Sequence, residues 1–582
     1  MKTYKNSIMS LILALVLTFF TWHSFFASGS SIIFLLMFVA FYFVVKNTIK
    51  HETKRKFIIA SIISIIFAII EVICKSINYD FSLDHILDHW LILNLFGYSI
   101  TGWLLLSNLY NLLTKIRENN NETTSKIKIG KISIDRNSKK IFWISFVLIL
   151  IAWIPYFLRY YPGLLTSDSC AEVLQGIGRN EFSNHHPILH VSIIAVFVNI
   201  GLKLFNNINT GVAFYSIFQM IVMSALFASV ISYLVKKNVK NELMVLMLLW
   251  YMFYPVNGLF SVIMWKDIIF AGIVPIFVLN CYEMLFNREK FFEKKTNYIK
   301  VICISLLMIY MRNNGIYIFV LSLLPIICAS KKYWKNVLVV FIVVFLLHTV
   351  INFLLFNVIK IKKGSSREML SIPVQQMART IKYNNDIDQS LKDEFNEFFT
   401  EKDVWEKYNP VLSDPVKNKV DDVYFKNNKG KFIKLWLKLM RVSFKDYVES
   451  FISNSYGYYY PETSHWVANR TMEENNIGLE QTPIINGKIV SKVDSFIERR
   501  DIPILTYFFS IGLTFWIVIA LMGYNLLNKD YRMLFIYVPI LVLWLTLIAS
   551  PVFCEFRYAY PIFTTIPLYF GVNLKREEEI NK

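Results

Sequence analysis

Residues 141–172 read IFWISFVLILIAWIPYFLR and then YYPGLLTSDSCAE. The first part has about the 20 apolar residues that a membrane-spanning helix needs. The second part places the carboxylates of Asp168 and Glu172 directly after that helix. A carboxylate at a membrane surface is costly to desolvate, so it indicates a functional site. The alternative is a solvated loop, in which Thr-Ser-Asp-Ser only starts a helix.

Similar apolar runs recur along the 582 residues, of which 55% are hydrophobic and 18% are charged. This composition predicts an integral membrane protein and excludes an ordinary soluble domain. The net charge of +19 arises from short basic clusters between spans, which orient a protein and meet anionic lipid head groups. We therefore expect membrane lipids, and not nucleic acid, as partners. The six cysteines have no paired spacing, so the sequence predicts neither disulfides nor a zinc site.

The positive-inside rule assigns the basic links to the cytoplasm. The links after the spans ending near residues 235, 286 and 330 obey this rule only if 187–205 does not cross the membrane. We therefore expect 187–205 to form an apolar helix in the outer interface. We predict an all-α polytopic protein of about 14 spans: 8–26, 31–46, 57–77, 89–113, 141–159, 211–235, 242–260, 268–286, 299–312, 315–330, 336–357, 502–526, 533–550 and 558–573.

The same pattern divides the chain into five parts. Residues 1–113 form a four-span N-terminal piece, and 114–140 form a basic cytoplasmic linker. Residues 141–357 form a membrane module with an outer loop at 160–210. A polar stretch at 358–500 has apolar and aromatic residues at helical spacing, so we expect it to fold as an extracytoplasmic domain. Residues 501–582 add three spans and a cytoplasmic tail.

The predicted topology brings ionisable side chains from separate segments to the outer face. In sugar transfer, a carboxylate takes the proton of the acceptor, and cations stabilise the departing phosphate. Arginine suits the second task because it stays charged and can grip phosphate oxygens with two hydrogen bonds. We predict Asp168 and Glu172 as catalytic carboxylates. The predicted substrate-binding residues are His186, His190, Lys266, Asp267, Arg312, Asn313, Gln376, Arg379, Glu555, Arg557 and Tyr558.

Several short motifs, spread over about 141–573, together resemble the GT-C superfamily of membrane glycosyltransferases, which use polyprenyl-phosphate-linked sugars. The motifs are Thr166-Ser-Asp168 after a span, His185-His186-Pro187-Ile-Leu-His190 opening an apolar helix, Asp267 at the outer start of a later span, and Arg557-Tyr558-Ala-Tyr-Pro561 in the last span. Arg312-Asn-Asn-Gly315 and the stretch from Ser371 to Arg379 resemble an uncharacterised bacterial branch of that superfamily.

We therefore expect an inverting glycosyltransferase of the bacterial cytoplasmic membrane, with its active site facing outside and Asp168 as the general base. Arg312 and Arg557 would face the phosphate, and Asp267 would orient the acceptor or bind an optional Mg²⁺ or Mn²⁺ ion. The expected acceptors are a cell-wall glycan, teichoic acid, lipid or protein. Alternatives are a lipid-linked oligosaccharide flippase or transporter, a glycan polymerase or ligase, and a structural scaffold. Transporters are expected to carry polar residues near mid-membrane, whereas here the ionisable groups gather at one face.

Overall fold

A computed structural model describes residues 2–25, 31–87, 90–118, 126–129, 132–463, 467–497 and 503–575. The predicted tail from 576 onwards lies outside the described residues, as do 119–125 and 130–131 of the basic linker and 464–466 and 498–500 of the predicted extracytoplasmic domain. In the N-terminal half, the helices are α1 (Lys2–Phe25), α2 (Ser31–Lys50), α3 (Lys54–Asp80), α4 (Leu91–Glu118), α5 (Ser138–Arg159), α6 (Ser167–Gly176), α7 (Ile188–Phe205), α8 (Ile208–Lys236), α9 (Asn241–Phe253), α10 (Pro255–Phe260) and α11 (Lys266–Phe286).

The remaining helices are α12 (Arg288–Phe292), α13 (Lys295–Met311), α14 (Gly315–Ala329), α15 (Trp334–Phe353), α16 (Ser371–Tyr383), α17 (Gln389–Asn396), α18 (Asp414–Lys417), α19 (Asp422–Asn427), α20 (Lys429–Val442), α21 (Phe444–Ser455), α22 (Lys488–Ile497), α23 (Pro503–Phe508), α24 (Ile511–Leu527), α25 (Val538–Ala549) and α26 (Phe556–Asn573). Two short strands, β1 (Lys126–Ile129) and β2 (Ile132–Asp135), interrupt this helical pattern in the basic linker. They pair antiparallel, with Lys126 opposite Asp135.

Among the described residues, ten helices are long and apolar enough to cross a membrane. The prediction of a helical, integral membrane protein is therefore confirmed in its coarse form, while the count of 14 spans stays a prediction. Helix α7 is one of the ten, so its length and composition alone do not decide whether it crosses. Helices α9, α14 and α24 are apolar but shorter.

Polar contacts between distant segments sort the helix ends into two sides. On one side, which we call the site side, the Leu164 N–H donates to the Val262 carbonyl at 2.9 Å, and the Asn184 N–H donates to the Lys362 carbonyl at 2.8 Å. On the opposite side, the Ser232 hydroxyl donates to the Ser138 carbonyl at 2.8 Å. Helix α5 therefore begins on the opposite side and ends on the site side, and α8 runs the other way.

Helix α7 has both of its ends on the site side. Its first turn places His190 against Glu172 of α6, and its last residue is followed almost at once by the start of α8. The α8 residue Ser216 still lies on the site side, because its hydroxyl donates to the Pro162 carbonyl at 2.8 Å. The two helices approach so closely that a Cβ on Gly201 would lie 2.3 Å from the backbone nitrogen of Gly211. Glycine at both positions permits this contact.

Helix α11 occupies the centre of the bundle. Its sequence is apolar on all faces, as expected for a helix that other helices surround. Nearly all of its side chains are buried, and it packs against α8, α13 and α26. Asp267 lies in its first turn, where the helix dipole favours a negative charge. The packing of α11 therefore fixes where the Lys266–Asp267 pair emerges on the site side.

The region predicted as one extracytoplasmic domain has two parts in the structure. Residues 366–455, which we call the cap, contain helices α16–α21 and enclose a separate core that includes Val374, Phe398 and Leu435. Residues 467–487, which we call the strap, then run back along the end of α5 and the following loop. In the strap, the Glu473 N–H donates to the Leu165 carbonyl at 3.1 Å, and the Thr482 N–H donates to the Tyr161 carbonyl at 2.9 Å. The strap therefore lies against the loop that carries Asp168.

Candidate active site

The loop that carries Asp168 is held by its own helix cap and by the start of α11. Thr166 is the N-cap of α6, and its N–H donates to the Ser169 hydroxyl at 3.3 Å. The Ser169 hydroxyl donates in turn to the Met264 carbonyl at 2.6 Å, and the Trp265 indole donates to the Thr166 hydroxyl at 2.9 Å. Because Thr166 caps the helix, the carboxylate of Asp168 is not used as a cap.

The carboxylate of Asp168 instead meets the first turn of the last helix. Arg557 of α26 donates from Nη1 to Asp168 Oδ2 at 3.0 Å. Its Nε lies 2.6 Å from Glu555 Oε1. The guanidinium also lies over the rings of Trp265 and Tyr558, 4.8 Å from each centroid. Residues nearly 400 positions apart therefore form one acid–base group, with Arg557 fixed on three sides.

This group opens into a cavity of about 570 Å³ between the membrane helices, the cap and the strap. Its polar lining combines cations and carboxylates, and a few apolar side chains complete the walls. The lining residues are Thr166, Ser167, Asp168, His185, Trp265, Lys266, Glu368, Leu412, Asp414, Lys417, Asn418, Glu473, Val552, Glu555, Arg557 and Tyr558.

The two acids beside Arg557 have pKa values shifted in opposite directions. Burial alone would raise the pKa of Asp168, but the charges of Lys266 and Arg557 outweigh burial and lower it. For Glu555, burial is the largest effect and raises the pKa, although Arg557 acts against it. Asp168 is therefore the better candidate for an ionised base at neutral pH, and Glu555 is the carboxyl more readily protonated.

Glu172 lies beneath the cavity and does not line it. Its carboxylate is buried between two imidazoles, 2.5 Å from His190 Nδ1 and 3.1 Å from His186 Nδ1. Burial would raise the pKa of Glu172, but the two histidines and Lys266 hold it well below its usual range. We therefore assign Glu172 a structural contact between α6 and α7, whereas the sequence predicted a catalytic role.

Further hydrogen bonds hold the ring of His190 between α6 and α8. Gln219 donates its amide protons to the carbonyls of Phe260, Ser261 and Ile263, so its Oε1 must accept. The Tyr215 hydroxyl donates to that oxygen at 3.0 Å, and its own oxygen, 2.6 Å from His190 Nε2, must accept from the ring. Both ring nitrogens of His190 therefore have hydrogen-bond partners, and the ring connects Glu172 of α6 with Tyr215 of α8.

His186 connects this buried pair to the cavity. Its Nδ1 lies 3.2 Å from the Lys266 ammonium nitrogen as well as 3.1 Å from Glu172. The Lys266 side chain lines the cavity opposite the cap. The sequence predicted that His186 and His190 bind substrate, but both rings are buried and neither lines the cavity. Their contacts instead set the position of Lys266.

Asp267 and Arg312 form a second ion pair behind the cavity wall. Arg312 Nη1 lies 3.3 Å from Asp267 Oδ1, and Asp267 is fully buried. The Arg312 guanidinium lies over the ring of Tyr558, 4.6 Å from its centroid. Tyr558 thus contacts two guanidinium groups, and of these two arginines Arg557 lines the cavity. Arg312 supports this wall and does not line it.

Three predicted site residues lie away from the cavity. Asn313 is exposed and donates to the Asn184 carbonyl at 3.4 Å. Gln376 and Arg379 lie in the core of the cap, where Gln376 donates to the Tyr447 carbonyl at 3.1 Å and Arg379 pairs with Glu449. The hydrogen bonds and ion pairs of Gln376 and Arg379 are with other cap residues. The structure therefore does not bring these three side chains to Asp168.

The cap and the strap supply charged residues at the cavity that the sequence analysis did not identify. Lys417 Nζ lies 2.9 Å from both Glu368 Oε2 and Asp414 Oδ1. Burial acts to lower the pKa of Lys417, but these two carboxylates outweigh burial and raise it. Glu473 of the strap lines the same cavity. Acidic and basic residues are common throughout 358–500, so no sequence signal distinguished these four.

The described residues do not form an evident metal site. Within them, no three His, Cys, Asp or Glu side chains lie close enough together to bind one ion. Asp267, the predicted ligand for Mg²⁺ or Mn²⁺, is paired with Arg312 instead. Hard divalent cations require several oxygen ligands, and a guanidinium beside the carboxylate opposes cation binding. The residues present do not fit a divalent ion at this position.

Comparison with known proteins gives a family without a function. Neither the curated proteins nor the solved structures contain a match to the chain. The model of one family, described as a family of unknown function (DUF6020), matches residues 177–581. This match includes Lys266, Arg312 and Arg557 and begins after Asp168. Because the match spans well over half of its length, the chain belongs to the DUF6020 family.

Proposed function

We propose that this protein is an inverting membrane glycosyltransferase of the GT-C type, which moves a sugar from a polyprenyl-phosphate-linked donor to an acceptor outside the bacterial cytoplasmic membrane. The observation that carries the proposal is the contact of Asp168 with Arg557 at 3.0 Å in a shared cavity. A carboxylate with a lowered pKa and two lining cations are the groups that sugar transfer from a phosphate donor requires.

The position of the cavity suits a substrate that is part lipid. The cavity lies where α11 and α26 begin, so its floor is at the end of membrane-embedded helices. Further along α26, Phe563, Ile566 and Phe570 line an apolar groove of about 560 Å³ between α9, α24 and α26. At about 1.5 Å per residue, these side chains lie roughly 9–20 Å along the helix from Arg557. Helix α26 therefore carries Arg557 at the cavity and, deeper along its axis and on another face, an apolar groove.

The proposed reaction is one direct displacement. Asp168 takes the proton of an acceptor hydroxyl as that oxygen forms a bond to the anomeric carbon of the sugar. The bond between the anomeric carbon and the phosphate oxygen breaks, and its electron pair leaves with the polyprenyl phosphate. Arg557 and Lys266 stabilise the negative charge on the departing phosphate. Attack from the face opposite the leaving group inverts the anomeric carbon.

The ion pair between Asp168 and Arg557 has a function in this scheme before substrate arrives. A donor phosphate offers Arg557 a stronger, two-pronged partner than a single carboxylate oxygen. Arg557 would turn toward the phosphate, and Asp168 would then be free to accept a proton. Arg312 contributes indirectly, because it fixes Tyr558 and thereby the position of Arg557. Asp267 holds Arg312 in place and has no direct role in the chemistry.

The contacts at the helix ends support the proposed orientation. Lys237 pairs with Glu283 at 3.3 Å, and Arg288 donates to the Ser330 carbonyl at 3.4 Å, so three basic links lie together on the side opposite the cavity. The positive-inside rule places that side in the cytoplasm. The site side is then outside, and 14 crossings follow if α7 remains in the outer interface.

The proposal is tested with the purified chain in lipid nanodiscs. The protein is incubated with a panel of polyprenyl phosphates that carry radiolabelled sugars, together with membrane extract as a source of acceptors. We expect one donor to lose its sugar to an acceptor with inversion, and polyprenyl phosphate to accumulate. Liposomes with a fluorescent lipid-linked sugar in one leaflet test the flippase alternative. Translocation without cleavage of any sugar–phosphate bond would contradict the proposal.

A further inference from the structure

The cap forms one wall of the cavity with a buried lysine between two carboxylates. Lys417 is only 6% exposed, and both Glu368 and Asp414 lie 2.9 Å from its ammonium group. The carboxylates themselves are about half exposed, at 48% and 51%. Both contacts of the lysine are with these carboxylates, whereas each carboxylate has a second oxygen atom that can accept further hydrogen bonds.

The opposite wall holds the cations that a donor phosphate would use. Arg557 and Lys266 are the basic residues on that wall, and Arg557 is already balanced in part by Asp168 and Glu555. A phosphate would occupy both of these cations. Among the described lining residues, Lys417 is then the one remaining lysine or arginine, and Glu368 and Asp414 neutralise its charge. Glu473 on the strap adds another negative charge at the cavity. A second anion would therefore meet carboxylates and no available cation.

From this charge arrangement we infer that the acceptor is a neutral or cationic polyhydroxy compound, bound with its hydroxyl or amino groups on Glu368 and Asp414. This inference rests on the proposed glycosyltransferase function and assigns the acceptor side of the same cavity to the cap. Half-exposed carboxylates accept hydrogen bonds from hydroxyl groups and attract ammonium groups. The same carboxylates repel a polyanion at close range. Anionic polymers such as those with phosphate in every repeat are excluded as acceptors.

Three hexasaccharides that differ in charge test this inference. Maltohexaose is neutral, the hexamer of glucosamine is cationic, and hexagalacturonate is anionic. Their binding to the full chain in nanodiscs, saturated with polyprenyl phosphate, is measured by saturation-transfer NMR. We expect the neutral and cationic probes to bind at least about tenfold more tightly than hexagalacturonate, because close like charges repel by more than this factor. Equal or tighter binding of hexagalacturonate, or no binding of the other two, would overturn the inference.

Matched variants locate the discrimination in the cap. The triple variant Glu368→Gln, Asp414→Asn and Lys417→Met removes the whole charged group without leaving a buried lysine unpaired. We expect it to reduce the discrimination between probes to within about threefold, since the repelling charges are gone. The single variant Glu473→Gln leaves the Lys417 group intact and should reduce discrimination only partly. Discrimination that is unchanged in the folded triple variant contradicts the role of the cap.

Failure of this inference can be distinguished from failure of the proposed function. Binding of polyprenyl phosphate is measured separately, in the absence of any saccharide. If polyprenyl phosphate binds but the charge preference is absent, the acceptor assignment is wrong and the donor side stands. If the charge preference is present but polyprenyl phosphate does not bind, the glycosyltransferase proposal is wrong and the cap remains a charge-selective saccharide site.

Discussion

Replacement of Asp168 by asparagine should separate the chemistry from the folding of this protein. Asparagine keeps the size of the side chain but cannot accept the proton. Arg557 retains Glu555 at 2.6 Å and its two aromatic neighbours, so it is not left without a partner. The Asp168 side chain is 35% exposed, and Arg557, though only 12% exposed, keeps Glu555 as its partner, so loss of the pair should cost about 1 kcal/mol, the upper end for exposed pairs. We therefore expect Asp168→Asn to fold normally.

The expected effect on the reaction is much larger. A positioned general base contributes about 10²–10⁴-fold to a rate. This factor corresponds to about 3–5 kcal/mol of lost transition-state stabilisation. The assay is transfer of a radiolabelled sugar from its polyprenyl phosphate donor in nanodiscs, with kcat and KM measured separately. We expect kcat to fall by this factor while the KM for the donor changes by less than about threefold, since asparagine removes an interaction used only in the transition state.

A matched carboxylate near the cavity serves as the control. Glu181 is 74% exposed and pairs with Lys362 on the site side, so Glu181→Gln removes a negative charge without touching the cavity. We expect its kcat to stay within about twofold of the wild type, because exposed pairs contribute little. If folded Asp168→Asn retains more than about one tenth of the wild-type kcat, Asp168 is not the general base.

Three further outcomes follow from the same geometry. Glu172→Gln removes the buried carboxylate between His186 and His190 and should destabilise the protein by about 3–5 kcal/mol, seen as a lower denaturation midpoint in detergent; an unchanged midpoint contradicts the structural role assigned to Glu172. Arg312→Met should lower the stability of the protein by about the same 3–5 kcal/mol because it leaves the buried carboxylate of Asp267 without its partner. The double variant that also carries Asp267→Asn should recover most of this stability. Because the pKa of Asp168 is lowered in the substrate-free protein, the base stays ionised as pH falls, so the acid limb of the kcat/KM profile, which reports the free enzyme, should lie below the ordinary range of aspartate; an acid limb near neutral pH would implicate another group.

Much of the fold could be predicted from the sequence because the length of an apolar run indicates the length of the membrane helix that it forms. The run that became α5 ends at Arg159, and the polar loop after it carries Asp168, as expected. The basic links after α8, α11 and α14 were predicted to share one side, and the contacts of Lys237 with Glu283 and of Arg288 with Ser330 bring them together. The path of α7 could not be read from its composition, because it is as apolar as a crossing helix. Its contacts with α6 and α8 place both of its ends on one side.

The candidate site could be predicted only where a charge lies next to the end of a span. Asp168 and Arg557 satisfy this condition, and the structure brings them together. The structure does not bring Arg379 to the cavity, contrary to the prediction from the sequence. A buried charge cluster inside the cap has the same residue types as a substrate site, and only tertiary packing shows that Arg379 is paired with Glu449. Lys417 was missed for the opposite reason, since nothing in a lysine-rich stretch marks the one lysine that the fold turns toward the cavity.

The central claim is that Arg557 binds the phosphate of a polyprenyl lipid opposite Asp168, and native mass spectrometry of the detergent-solubilised chain tests it directly. The measurement compares polyprenyl phosphate with polyprenol, which has the same chain and no phosphate, in the wild type and in Arg557→Met. We predict that Arg557→Met lowers the affinity for polyprenyl phosphate at least about tenfold, the effect of losing a charge-assisted hydrogen bond, and leaves polyprenol binding unchanged. Equal affinities of the wild type for the two lipids, or equal loss of both in Arg557→Met, would contradict the account.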